Sequence, residues 1–253
     1  MPSFNAVGVL SLLDTLGERN FKRYIKVILQ DLHNLQDGGI NAILIENDGD
    51  TATSRRAFPE TVRLFTEIMD TIQREIRVPY LVGVLPADYE SSFDIAKRFN
   101  AFGVWMDTLV DRVSPNYTQD SFIININPEE VVKYKNGVNL FAEVQPRNFY
   151  ELIGGKNLEQ SVKSAKHYAD AICLVGEKEP LPLDLVKNIR KIVGESYPIG
   201  VSGGLSVGNI ASYTKIANFG IFFSYLREDS DYKKRVDIKR VRTLMNKINK
   251  NKI

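Results

Sequence analysis

The sequence contains few of the residues that bind transition metals or cross-link a chain. Among its 253 residues are one cysteine, Cys173, and two histidines, His33 and His167. A single cysteine excludes an internal disulfide, and no cysteine and histidine cluster has the spacing of a zinc site. Cys173 lies in an apolar run and both histidines lie in predicted helices, so we expect packing or surface roles for all three.

Long hydrophobic runs and leader-like segments are missing as well. No apolar run reaches the roughly 18 residues that a membrane span needs, and the N-terminus has no basic segment followed by an apolar one. With a single cysteine, these features predict a soluble, cytoplasmic protein. Hydrophobic residues make up 43% of the chain, and no linker rich in proline, glycine or serine divides it. We therefore expect one domain over residues 1–253.

An excess of charge of one sign is also absent. The chain has 33 basic and 31 acidic residues, for a formal net charge of +2, so we expect no nucleic-acid partner. The exception is residues 233–252, where basic residues dominate but apolar residues recur at helical spacing. This pattern predicts a packed last helix with a solvated basic face, and it leaves open a peripheral contact with RNA or anionic lipid at this segment.

Strand-like and helix-like segments alternate along the chain about every thirty residues. The predicted strands are residues 5–10, 42–45, 80–85, 103–106, 139–144, 171–175, 198–201 and 220–224. Eight such units are the number that closes a (β/α)8 TIM barrel, which we predict as the fold. The alternative is an open doubly wound sheet, which carries a glycine-rich fingerprint after its first strand. Here residues 11–14 are Ser-Leu-Leu-Asp.

Acidic and amide side chains follow several of these apolar runs. Barrel enzymes have their sites at the C-terminal ends of the strands, so we expect these side chains to converge on one cavity. The candidate catalytic residues are Glu46, Asp50 and Asp88, acting as general acids or bases, and Glu46 and Asp50 are also candidate ligands of a divalent cation. Further pocket candidates are Asn47, Asp48, Asp107 and Glu143. For any single aspartate, the competing interpretation is a turn or helix N-cap.

Residues 197–210 combine a short apolar strand, a serine-glycine-glycine turn and a helix start. Backbone N–H groups converge in such turns, and a helix N-terminus favours negative charge. The segment therefore predicts a phosphate site built from Ser202, Gly203, Gly204 and Asn209, with a phosphorylated small molecule as the ligand. The same sequence is also common in ordinary loops.

Residues 38–50, Gly-Gly-Ile-Asn-Ala-Ile-Leu-Ile-Glu-Asn-Asp-Gly-Asp, closely resemble a segment of the BtpA family, which includes SgcQ-type proteins. Further matches follow in the same order at residues 169–172, 200–204, 209–210 and 236–241. The resemblance implies a (β/α)8 barrel related to phosphate-binding barrels. It also implies a role linked in some members to photosystem I biogenesis or stability at the thylakoid surface, whereas others occur with sugar metabolism as candidate enzymes. We also expect a homo-oligomer.

Several strand ends depart from the pattern of that family. Residues 12–15 replace the proline-leucine-proline-glycine stretch that the family has after its first strand. Ala87 and Asp88 replace its asparagine-aspartate pair after the third strand, and residues 177–180 replace its threonine-glycine turn after the sixth. The aspartate of its fifth strand appears as Glu143, and the lysine-histidine that follows appears as residues 147–148, Arg-Asn. The glycine-threonine of its eighth strand is Phe223-Ser224, and both residues are added to the pocket candidates.

These departures leave two hypotheses open. One is an enzyme that acts on a phosphorylated sugar or nucleotide, and the other is a catalytically inactive barrel that acts as an assembly or regulatory factor. The orientation of Phe223 separates them, because a ring turned into the barrel would occupy space that a glycine leaves to a phosphate.

Overall fold

The computed structural model describes residues 4–12, 20–48, 50, 53–118 and 122–251. Residues 13–15 and Gly49, which belong to two of the sequence patterns above, lie outside that part of the chain. Eight parallel strands form a closed barrel, which confirms the predicted fold. In chain order they are β1 (Asn5–Ser11), β2 (Ala42–Glu46), β3 (Tyr80–Gly83), β4 (Gly103–Met106), β6 (Asn139–Val144), β8 (Ala171–Val175), β9 (Ile199–Ser202) and β10 (Phe219–Phe222). The barrel closes where β1 pairs with β10.

Helices surround the barrel and are started by local side-chain signals. They are α1 (Phe21–Asp37), α2 (Pro59–Ile72), α3 (Tyr89–Arg98), α4 (Pro128–Lys135), α5 (Leu158–Tyr168), α6 (Leu183–Val193), α7 (Ile210–Tyr213) and α8 (Ile238–Lys250). Asn20 caps α1, Pro59 begins α2, and Asn157 with Gln160 forms a capping box at α5. Within the described residues, no helix has the length and apolar character needed to cross a membrane.

Two short antiparallel strands lie outside the barrel. They are β5 (Val113–Pro115) and β7 (Tyr150–Leu152), which pair with each other. β5 belongs to the connection after β4, and β7 belongs to the connection after β6. Both connections therefore leave the C-terminal ends of their barrel strands, and the small sheet joins them on that side of the barrel.

Side chains of the barrel strands alternate between the helix layer and the barrel interior. The interior holds one apolar cluster, which is distinct from the larger core under the helices; its buried members are Val7, Val9, Leu44, Leu81, Trp105, Ala171, Cys173, Phe219 and Ile221. Gly200 makes room within it, since a Cβ there would lie 2.1 Å from the ring of Phe219. Cys173 is free and buried, as predicted.

Candidate functional site at the carboxyl ends of the strands

The inward-facing positions become polar toward the C-terminal ends of the strands. The side chains of Leu44, Trp105 and Phe141 belong to the interior cluster. Each of them is followed two residues later by an acidic residue, namely Glu46, Asp107 and Glu143 in the same order. The period of two therefore directs these three carboxyl groups to the barrel axis. With Asp48 they form a group that we call the acidic layer, and Ser11 and Ser202 occupy equivalent positions on β1 and β9.

The carboxyl groups of the acidic layer are largely withdrawn from water. Asp107 and Glu143 are both 8% exposed. Glu46 and Asp48 are partly accessible as whole side chains, but Glu46 Oε2 and Asp48 Oδ2 are inaccessible and make no hydrogen bond of ordinary geometry within the described residues. Gly83 lies beside Glu46, since a Cβ there would be 3.7 Å from Glu46 Oε2.

Burial and mutual repulsion raise the pKa values of these groups. Burial raises the pKa of Glu46 well above its ordinary value, and the negative charges of Asp48, Asp107 and Glu143 raise it further. Burial and then Asp107 raise the pKa of Glu143 in the same way. Burial also raises the pKa of Asp48, although hydrogen bonding to Glu46 and Ser11 opposes the rise.

Asp107 differs from the other members because it has a strong donor. Burial raises its pKa to about 7, while a hydrogen bond from Tyr150 acts in the opposite direction. Tyr150 Oη donates to Asp107 Oδ2 at 2.7 Å, and Tyr117 Oη lies 3.5 Å from Tyr150 Oη. The two aromatic rings meet edge to face. The sheet of β5 and β7 thus brings a tyrosine hydroxyl onto the acidic layer, which the sequence did not predict.

The structure gives Asp88 a different role from the predicted one. Asp88 is the N-cap of α3, with Oδ1 accepting from Ser91 N, and Oδ2 accepting from Ser91 Oγ and Ala57 N. The carboxylate is satisfied by these local donors. The competing N-cap interpretation accounts for this residue.

Asn47 and Asp50 form hydrogen bonds that stabilise the connection after β2. Asn47 Nδ2 donates to Asp50 Oδ2 at 3.0 Å, and Asn47 Oδ1 accepts from Leu85 N at 2.9 Å. Across the described parts of the chain, no three histidine, cysteine, aspartate or glutamate side chains are arranged to share a metal ion. A divalent cation held by Glu46 and Asp50 stays a prediction.

The turn after β9 has the glycine conformations that the sequence suggested. Gly203 and Gly204 have φ of 78° and 73°. A Cβ on Gly203 would lie 2.1 Å from the carbonyl oxygen of Gly176, and one on Gly204 would lie 2.1 Å from that of Lys178. The glycines are therefore required by close packing against the connection after β8.

Asn209 is used within the same turn. Its Oδ1 accepts from Ser206 N and its Nδ2 donates to the carbonyl of Gly204, and α7 begins only at Ile210. No acceptor among the described residues contacts the backbone N–H groups of Gly203 and Gly204. The turn therefore presents two donors, while Asn209 stabilises the loop.

Phe223 lies against the interior cluster of the barrel. The guanidinium carbon of Arg227 lies 4.9 Å from the centre of its ring, and Arg227 itself is only 2% exposed. Ser224 begins a short 3₁₀ helix, and its carbonyl accepts from Arg227 N. The ring is thus on the inner side of the barrel, next to the place where the sequence predicted phosphate.

Sequence relatives cover almost the whole chain. An uncharacterized protein of Methanocaldococcus jannaschii is 24% identical over 242 residues, which is 92% of this chain and 89% of that protein. The putative sgc region protein SgcQ of Escherichia coli is 24% identical over 228 residues, covering 86% of this chain and 82% of SgcQ.

Solved structures share the barrel at lower identity. N-(5′-phosphoribosyl)anthranilate isomerase from Pyrococcus furiosus superposes with a TM-score of 0.58 at 14% identity, covering 98% of this chain and 99% of that one. Orotidine 5′-phosphate decarboxylase from Pyrococcus horikoshii has the same TM-score of 0.58 at 14% identity, and the match covers 96% of this chain and 99% of that one. At this identity the likeness shows the fold alone.

The model of the BtpA family matches residues 3–250 of this sequence. The match includes every barrel strand and the acidic layer. The chain belongs to the BtpA family.

Proposed function

We propose that this protein binds a small molecule at the acidic layer and catalyses proton transfer on it. The observation that carries the proposal is that carboxyl groups at the ends of three different strands share one buried layer and that burial raises the pKa of each above its ordinary value. Groups with pKa values near the working pH are the most effective general acids and bases. Structural ion pairs also shift pKa values, but within the described part of the chain none of these three carboxyl groups forms an ion pair with a basic side chain.

Asp107 is the group best suited to exchange a proton in each turnover. Its pKa of about 7 lets it release and recover a proton at physiological pH. Burial also raises the pKa values of Glu46 and Glu143, and both carboxyl groups can form hydrogen bonds with the ligand. The Tyr150 hydroxyl, 2.7 Å from Asp107, holds that carboxyl group in position.

Infrared titration of the protonated carboxyl groups tests this proposal without a known substrate. We expect a carboxyl band in the wild type that titrates near pH 7 and disappears in Asp107→Asn. Tyr150→Phe should move that titration upward by about one pH unit, because it removes a donor that favours the ionised form. Tyr117→Phe is the matched control, since the Tyr117 hydroxyl lies 3.5 Å from Tyr150 Oη, whereas Tyr150 is the tyrosine that donates to Asp107. If all carboxyl groups ionise below pH 5, the proposal fails, and an inactive barrel with an assembly or regulatory role becomes the better hypothesis.

A phosphorylated ligand is the second candidate, and the turn after β9 supports it. The N–H groups of Gly203 and Gly204 are two donors that could meet an anion. Two of the structural neighbours carry phosphorylated compounds in their names. The opposing observation is the ring of Phe223, which packs on the inner side of the barrel beside this turn.

Removing the ring of Phe223 tests the second candidate. We expect weak or no binding of inorganic phosphate and ribose 5-phosphate to the wild type, and at least tenfold tighter binding to Phe223→Gly, because the ring occupies the approach to the turn. Calorimetric titration measures both proteins, and Phe102→Gly, which removes an exposed ring elsewhere, is the control for unspecific effects. Tight phosphate binding to the wild type would contradict the blocking role of Phe223.

A further inference from the structure

We infer that the ligand of the acidic layer carries a cationic amine, which the carboxyl groups bind as an ammonium ion. This inference rests on the proposed function and names the chemical class of its ligand. It begins with buried oxygen atoms that make no hydrogen bond of ordinary geometry within the described residues: Glu46 Oε2, Asp48 Oδ2, Ser11 Oγ and Ser202 Oγ. Buried acceptors without donors are costly, so they mark a place where a ligand supplies hydrogen bonds.

Ser202 is independent evidence that this end of the barrel is a binding surface. Its side chain is only 5% exposed, and it occupies the inward position two residues after Gly200 on β9. Its neighbour is the Cys173 thiol, a weak hydrogen-bonding partner whose pKa is raised well above its ordinary value, first by burial and then by Glu143. A hydroxyl and two carboxyl oxygens can together accept the three N–H donors of an ammonium group.

The charges that face the layer also favour a cation. The titratable groups around it are the four carboxyl groups, Cys173 on β8, Tyr150 on β7 with Tyr117 behind it, and Arg227 after β10. Arg227 acts on Asp48, but its Nη1 donates to the carbonyl of Lys234 and lies 3.7 Å from Asp31. Among the described residues, no basic side chain is a main influence on the pKa of Glu46, Asp107 or Glu143.

Aromatic rings complete the chemistry expected of an amine site. Trp105 lies directly below Asp107 on β4, Tyr150 donates to Asp107, and Phe223 packs on the same interior cluster. Aromatic faces attract ammonium groups through their quadrupoles. An anion, by contrast, would meet several carboxyl groups and an apolar ring.

Binding of an ammonium ion must displace protons from the layer. The amine enters with its charge, a carboxyl O–H bond breaks, the electron pair stays on the carboxylate, and the proton leaves to solvent. One proton released per ligand makes the affinity rise up to tenfold per pH unit below the pKa of the ionising group and level off above it. A neutral alcohol of the same size would release no proton.

The test compares 1,4-diaminobutane with 1,4-butanediol, which has the same length and no charge. Isothermal calorimetry at pH 6, 7 and 8 in two sulfonate buffers of different ionisation enthalpy gives both the affinity and the number of protons released. We expect the diamine to bind at least tenfold more tightly than the diol and to release about one proton at pH 6. Glu143→Gln and Asp107→Asn should each weaken the diamine at least tenfold at pH 8, whereas Glu159→Gln, an exposed residue of α5, should leave it unchanged.

The outcomes separate this inference from the proposed function. If the carboxyl band near pH 7 is present but the diol or inorganic phosphate binds as well as the diamine, the ligand class is wrong and the proton-transfer proposal stands. If diamine binding is unchanged in Glu143→Gln, the amine binds elsewhere and the inference is also overturned. If the carboxyl groups titrate at their ordinary pKa values, both the proton-transfer proposal and the inference of an amine ligand are wrong. Circular dichroism confirms that each variant is folded.

Discussion

The protein is expected to be more stable at pH 5.5 than at pH 7.5, the reverse of what paired carboxylates produce. In the folded state, burial raises the pKa of Asp107 from 3.8 to about 7 and those of Glu46 and Glu143 well above their ordinary values. The folded protein therefore binds more protons than the unfolded chain in this window, so stability is present at the lower pH and is lost as the pH rises. For Asp107 alone the change amounts to about 2 kcal/mol.

Substitution of Asp107 should reduce this pH dependence and stabilise the protein. Asp107→Asn cannot ionise and keeps a hydrogen-bond partner for Tyr150, so we expect its free energy of unfolding at pH 7.5 to rise by up to about 4 kcal/mol. Urea denaturation at pH 5.5, 6.5 and 7.5 measures the effect, and Asp94→Asn, on the exposed face of α3, is the control. A wild-type stability that rises with pH over this window would contradict the buried, protonated state of the layer.

The second large effect is expected at Gly203. Its φ of 78° disfavours any other residue, and a Cβ would lie 2.1 Å from the carbonyl oxygen of Gly176. We expect Gly203→Ala to lower the free energy of unfolding by about 3–5 kcal/mol, combining backbone strain with a steric clash. Thermal and urea denaturation measure the loss.

Gly137 provides a matched control that separates backbone strain from the steric clash at Gly203. It has a similar φ of 85°, but a Cβ there would have no neighbour within 4 Å. Gly137→Ala should therefore cost only the backbone strain, about 1–2 kcal/mol. Equal losses in the two variants would show that the clash with Gly176 is relieved by movement of the loop. A substitution at Gly203 also reports mainly on folding, so it is a poor test of phosphate binding.

The barrel was predictable because its strands are continuous apolar runs bounded by glycine, proline or charge. Residues 103–106, 139–144 and 171–175 were predicted with the bounds that the structure has. The predicted strand at residues 198–201 begins one residue early, since Pro198 has no N–H and contributes only its carbonyl, which accepts from Ile172 N. The last strand ends before Phe223, where the chain turns into a 3₁₀ helix.

The site was less predictable because strand ends and helix caps use the same residues. Glu46 could be identified by its position at a strand end, but Asp88 has an equally acidic position and caps α3 instead. Tyr150 carried no signal, because β7 has three residues and is defined by pairing with the distant β5. The partner of Asp107 therefore emerges only when both connections are folded.

The pairing of β1 with β10 has a consequence for biosynthesis. Residues 5–8 find their partners at residues 219–222, so one side of β1 stays unpaired until nearly the whole chain has left the ribosome. β9 pairs with β8 on one side and with β10 on the other. Its β10 side therefore also stays unpaired until β10 has been synthesised. Unpaired strands recruit strands of other chains. Nascent or shortened chains without Phe219–Phe222 are therefore expected to carry two strand edges that can pair with other chains.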